Sequence, residues 1–95
     1  MPSIKAWAYT PEKDFFMTEV PVTLLQQIRE NIELLAKRFS REVDGVEFDS
    51  LEADEKIQIC SSLEAALIGS LLEKENPEEE ADKAIEELKN REKGG

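Results

Sequence analysis

The chain contains no histidine. That removes the commonest general base, the commonest metal ligand and the usual activator of a nucleophile. Zinc centres built from cysteine and histidine are excluded. A single cysteine, Cys60, cannot form an internal disulfide, and the cytosol is the compartment expected for such a chain. Neither Gly-x-x-x-x-Gly-Lys nor Gly-x-Gly-x-x-Gly occurs, so nucleotide cradling of the familiar kinds is not expected. The acidic residues lack the alternate spacing and central glycine of a calcium loop. No apolar run approaches the ~18 residues of a membrane span, and no basic segment followed by an apolar one suggests a secretory signal. No cofactor and no metal are expected. An enzyme would have to work with carboxylates alone, so a non-enzymatic role is expected.

What the chain has is acid. Twenty-two acidic residues stand against twelve lysines and arginines, a net charge of −10 over 95 residues. The excess is regional. Residues 42–80 carry thirteen acids and two lysines, while the segments on either side are nearly balanced. Glu42, Asp44, Glu47, Asp49, Glu52, Asp54, Glu55, Glu73, Glu75, Glu78, Glu79 and Glu80 make up this acidic surface, with Glu64 the thirteenth. Direct binding to a phosphate backbone is disfavoured, because that affinity comes from clustered lysine and arginine. The length suits one small domain of modest stability, for which self-association is a ready source of further buried area.

The longest apolar stretch, Ser50 to Glu75, predicts a helix on which most of the core rests. Asp49 or Ser50 would cap it, and acids in its first turn suit the positive end of the helix dipole. Ala53, Ile57, Cys60, Leu67, Ile68, Leu71 and Leu72 fall on one arc, with a weaker stripe at Ile59, Leu63, Ala66 and Ser70. Cys60 reads as a small core residue. Glu64 interrupts the main arc. Either its stem lies along the core edge with the carboxylate in water, or it meets a cation from another helix or a ligand. Asn76-Pro77 ends the helix.

Ahead of it, Ser3 to Thr10 alternates, with Ile4, Ala6 and Ala8 facing one way and Lys5, Trp7 and Tyr9 the other. Pro11 to Asp14 reads as a turn, and Phe15 to Val22 as a second strand with Phe16, Thr18, Val20 and Val22 on one side. Residues 1–22 therefore form a β-hairpin, with Pro21 marking an edge. Thr23-x-x-Gln26 reads as a capping box for a second long helix, whose stripe is Leu25, Ile28, Ile32, Leu35, Ala36, Phe39 and Val43. Leu34 falls on the polar side. Asp44-Gly45 ends this helix, glycine supplying the left-handed residue past its end. Residues 23–75 thus make an antiparallel helical hairpin. Residues 76–91 make a short last helix, opened by Asn76-Pro77-Glu78 and carrying a thin stripe of Ala81, Ala84, Ile85 and Leu88. Residues 92–95 read as a frayed tail. The Gly94-Gly95 ending has the composition of a conjugation tail, but it follows a polar helix and is read as a flexible end.

The fold expected is α+β: an N-terminal hairpin packed on two long antiparallel helices plus a short C-terminal helix, ββααα. Four of the six aromatic residues, Trp7, Tyr9, Phe15 and Phe16, lie in the hairpin. Aromatic side chains dominate binding hot spots, so these four with Leu34 are the candidate partner-binding residues. The function expected is a small acidic interaction module, cytoplasmic and homodimeric or larger, acting on another protein as adaptor, chaperone or inhibitor. A second possibility is a nucleic-acid mimic of phage or mobile-element type, in which the acids of 42–80 imitate phosphates. A third is a small ligand-binding protein or enzyme with Glu64 in a pocket between subunits.

Overall fold

A computed structural model describes residues 2–94. Strand β1 (Ser3–Thr10) pairs antiparallel with β2 (Asp14–Pro21), in a register that sets Trp7 opposite Met17, Tyr9 opposite Phe15 and Ala8 opposite Phe16. The turn between them is closed by the Lys13 amide, which donates to Thr10 Oγ1 at 3.1 Å. Asp14 takes the left-handed conformation at φ 61°, which a short polar side chain tolerates. The alternation separates two faces as expected, save that Ile4, on the inner one by register, is 48% exposed. Ala6, Ala8 and Val20 are buried on the inner one, against Leu24, Leu25, Ile28 and Ile68.

The second helix expected from the sequence is divided. Helix α1 (Val22–Glu30) and helix α2 (Ile32–Phe39) meet at Asn31, whose φ of −117° and ψ of 13° break the helical path. Its side-chain amide donates back to the Gln27 carbonyl at 2.8 Å, the local hydrogen bond that makes asparagine a competitor of the helix. The helix starts one residue earlier than expected and Thr23 does not cap it. Thr23 Oγ1 donates instead to Glu78 Oε1 at 2.5 Å, and one turn on, Gln27 Nε2 donates to Asp82. These two bonds tie α1 to the last helix. Leu24, outside the expected stripe, is fully buried, because α1 faces the hairpin on one side and the last helix on another. Leu34, expected on the polar side, is half-buried. After Phe39 the backbone widens into a π-helical turn, Ser40–Asp44, which Gly45 ends at φ 66° as expected. The far end of the stripe is lost in this turn, and Val43 is exposed.

A short 3₁₀ turn, Phe48–Ser50, precedes helix α3 (Ala53–Leu71). The helix is shorter at both ends than the expected 50–75. Ser50 Oγ donates to the Glu47 carbonyl at 2.7 Å within that turn, so neither it nor Asp49 caps α3. The expected arc also fails at its start, where Ile57 is 65% exposed. The residues buried deepest are Ala65, Ile68 and Gly69. Helix α4 (Pro77–Gly94) opens on the proline as expected. It is longer than the 76–91 expected, and Gly95 lies outside the described residues. Its stripe is seated through Ala81, Ile85 and Leu88, while Ala84 faces out.

Candidate docking groove between the hairpin and α3

The outer face of the hairpin carries Trp7, Phe15 and Met17, exposed to 56%, 53% and 49%. Burying them would remove large apolar areas from water, so leaving them exposed is costly unless something else covers them. The strand register explains the grouping. Trp7 faces Met17 across the strands, and Tyr9 faces Phe15, with their rings 5.0 Å apart and tilted at 53°. Such a tilted pair is a favourable aromatic geometry.

Beside this face runs α3, brought close by small side chains. A Cβ at Gly69 would lie 2.8 Å from the Tyr9 carbonyl carbon, and closer still to its oxygen, so only glycine permits the approach. One turn earlier Ala65 is buried against the same strand side, and Ser61 and Ser62 follow. Because Ser61, Ser62 and Ala65 are small, a depression is left between them and Trp7 and Phe15. Trp7, Phe15, Ser61, Ser62 and Ala65 line a cavity of about 290 Å³. Tyr9, Phe15, Phe39, Ser62, Leu63 and Ala66 line an adjoining one of about 220 Å³. The two share Phe15 and Ser62, and so are lobes of one groove. Serine hydroxyls and the Tyr9 phenol are the polar side-chain groups of its lining.

Of the residues expected to meet a partner, Trp7, Tyr9 and Phe15 are therefore brought together. Phe16 is not among them. It points to the opposite face, half-buried against the core, with Lys13 Nζ 5.2 Å above its ring. Leu34 lies on α2, outside the lining of either lobe. Met17, Ser61 and Ser62 carry no expectation from the sequence, and Phe39 is expected in the core stripe of the second helix, not at this surface. Met17 was legible from its place opposite Trp7. The serines gave no signal, because small polar residues on a helix ordinarily face solvent.

Glu64 meets a cation from another helix. Its Oε1 lies 2.8 Å from Arg29 Nε, with the arginine side chain 60% and the glutamate 24% exposed. Glu42, Glu47 and Asp49 also lie beside cations. Glu42 lies 2.9 Å from Arg38, Glu47 3.6 Å from Arg41 and Asp49 3.8 Å from Lys37. Asp44's side chain lies outside the described residues. Glu52, Asp54 and Glu55 sit around the start of α3, and Glu73, Glu75, Glu79 and Glu80 beyond its end. The helix is roughly 27 Å long, so the acidic surface is split between its two ends. Cys60 is half-buried. Burial pushes its thiol pKa up, and the nearby Glu33 and Glu64 add to the effect.

Among the described residues, no three acidic, cysteine or histidine side chains are grouped to hold a metal ion, and no helix is long and apolar enough to cross a membrane. Comparison with protein-family models, with characterised proteins and with solved structures finds no match to this chain.

Proposed function

We propose that this is a non-enzymatic protein-interaction module that docks a partner protein in the groove between the outer face of the hairpin and α3. The observation that carries the reading is the grouping of Trp7, Phe15 and Met17, each about half exposed, beside a depression floored by the small residues Ser61, Ser62 and Ala65. Exposed aromatic side chains next to a depression are the usual anatomy of a binding hot spot. Folding alone gains nothing from their exposure. A cytosolic setting belongs to the reading, since one free cysteine suits a reducing compartment.

A second copy of the chain would cover the same face, but each copy carries a charge of −10, and like charge opposes association. The nucleic-acid mimic draws less support, because phosphate imitation needs one continuous acidic face. Here the acids are divided between the two ends of α3, and Glu42, Glu47 and Asp49 are set beside cations. A ligand site at Glu64 draws little, with that carboxylate held by Arg29.

The test is capture of partners from a lysate of the source cell by three baits: the unaltered chain, Phe15→Ala and Ser62→Arg. Phe15→Ala removes a wall and Ser62→Arg fills the floor. Proteins retained by the unaltered chain and lost with both variants support the reading. Retention by all three, with folding verified by circular dichroism, contradicts it.

A further inference from the structure

Resting on that docking reading, we infer that the groove's occupant is a basic amphipathic segment of a partner protein, inserting two bulky apolar side chains side by side between lysines or arginines. The two lobes, of about 290 and 220 Å³, share Phe15 and Ser62. One continuous segment can therefore seat an apolar side chain in each. The apolar lining calls for apolar anchors.

The charge around the groove sets the sign of the flanks. Asp54 and Glu55 lie two helical turns before Ser61 and Ser62 on the same side of α3, and both are exposed. Nearby cations are turned elsewhere. Lys13 lies over Phe16 on the opposite face, Lys56 lies 5.6 Å over the Phe48 ring, and Arg38 is held by Glu42. Lys5 shares the outer face of the hairpin with Glu19, its neighbour in register, whose carboxylate accepts from Ser3 Oγ at 2.8 Å. Asp54 and Glu55 at its edge, on a chain of net charge −10, favour a cationic segment over an anionic one.

The experiment is selection from a displayed library of random peptides, each of about 16 residues, on the full chain, with parallel selections on Phe15→Ala and Ser62→Arg. The expected result is enrichment of peptides that combine two bulky apolar residues with a surplus of lysine and arginine. Their affinity should fall by on the order of tenfold with either variant. It should also fall by on the order of tenfold between about 50 mM and about 500 mM salt. Groove-dependent peptides that are neutral or acidic overturn the inference and leave the docking reading standing. Basic peptides that lack apolar anchors and ignore both variants report only attraction to an acidic protein and also overturn it. No groove-dependent enrichment at all removes the docking reading with it. A chain that dimerises in sedimentation, and is made monomeric by Ser62→Arg, places its own copy in the groove and overturns the inference.

Discussion

Gly69 of α3 and Tyr9 of β1 meet backbone to backbone, with no room for a side chain between them. This contact draws the helix onto the strand and fixes where the groove lies. It leads to a prediction of unusual sign. Alanine is a better helix former than glycine by ~1 kcal/mol, yet Gly69→Ala should destabilise the chain by about 1–3 kcal/mol through overpacking. Urea unfolding would measure it. A stability gain would show that the helix and strand stand further apart.

Leu24 is fully buried among the hairpin and helices. Truncation to alanine deletes three carbons from a close-packed site and should cost about 2–5 kcal/mol. Leu34→Ala, at a half-buried position on α2, should cost less. Thermal unfolding of the two variants side by side gives the order.

The Arg29–Glu64 pair is open to water on the arginine side. Solvent and salt screen such a pair, so Glu64→Gln should change stability by less than about 1 kcal/mol. A loss several times larger in chemical unfolding would mean that the carboxylate is more enclosed than its surroundings indicate.

Ser40 is buried in the π-helical turn, and its hydroxyl has no hydrogen-bond partner among the described residues. An unsatisfied buried hydroxyl carries a desolvation cost, so Ser40→Ala should be neutral or stabilise by up to about 1 kcal/mol. Calorimetry on the variant would detect a shift of the melting temperature upward or none. A clear fall would point to a hydrogen bond held through a bound water.

Burial and then the two carboxylates Glu33 and Glu64 hold the Cys60 thiol protonated beyond its ordinary range. Alkylation by iodoacetamide at neutral pH should be slower than for a free cysteine, and should accelerate only at a higher pH than a free thiol requires. The linkage has the matching sign. The unfolded chain releases this proton first, so stability falls as pH rises through the ordinary thiol range. Cys60→Ser should flatten that fall.

Much of the architecture is legible in the residues. Alternation from Ser3 to Thr10, the turn after Pro11 and the glycine stop at Gly45 each depend on neighbours a few positions away, and each stands within a residue of its expected place. The failures have tertiary causes. Thr23 looks like a cap, but Glu78, fifty-five positions on, takes its hydroxyl. Asn31 sits within an unbroken apolar stripe, and periodicity alone gives no sign that its side chain will divide the helix. Ile57 fits the arc of α3, yet the helix begins before its neighbours reach it. The site was half legible. Trp7, Tyr9 and Phe15 share a face by strand alternation. The floor was hidden, since Ser61, Ser62 and Ala65 gain meaning only once Gly69 has brought α3 against the strand.

Trp7 is the sole tryptophan of the chain and forms one wall of the groove, so its fluorescence reports directly on whether that wall is covered. Acrylamide quenching of Trp7 should be strong in the free chain. It should weaken saturably, with a blue shift of emission, as a tryptophan-free partner segment binds, and Ser62→Arg should abolish the change. A Trp7 already shielded in the free chain at every concentration, or one whose quenching is unaltered when the partner is bound, would contradict docking at this groove.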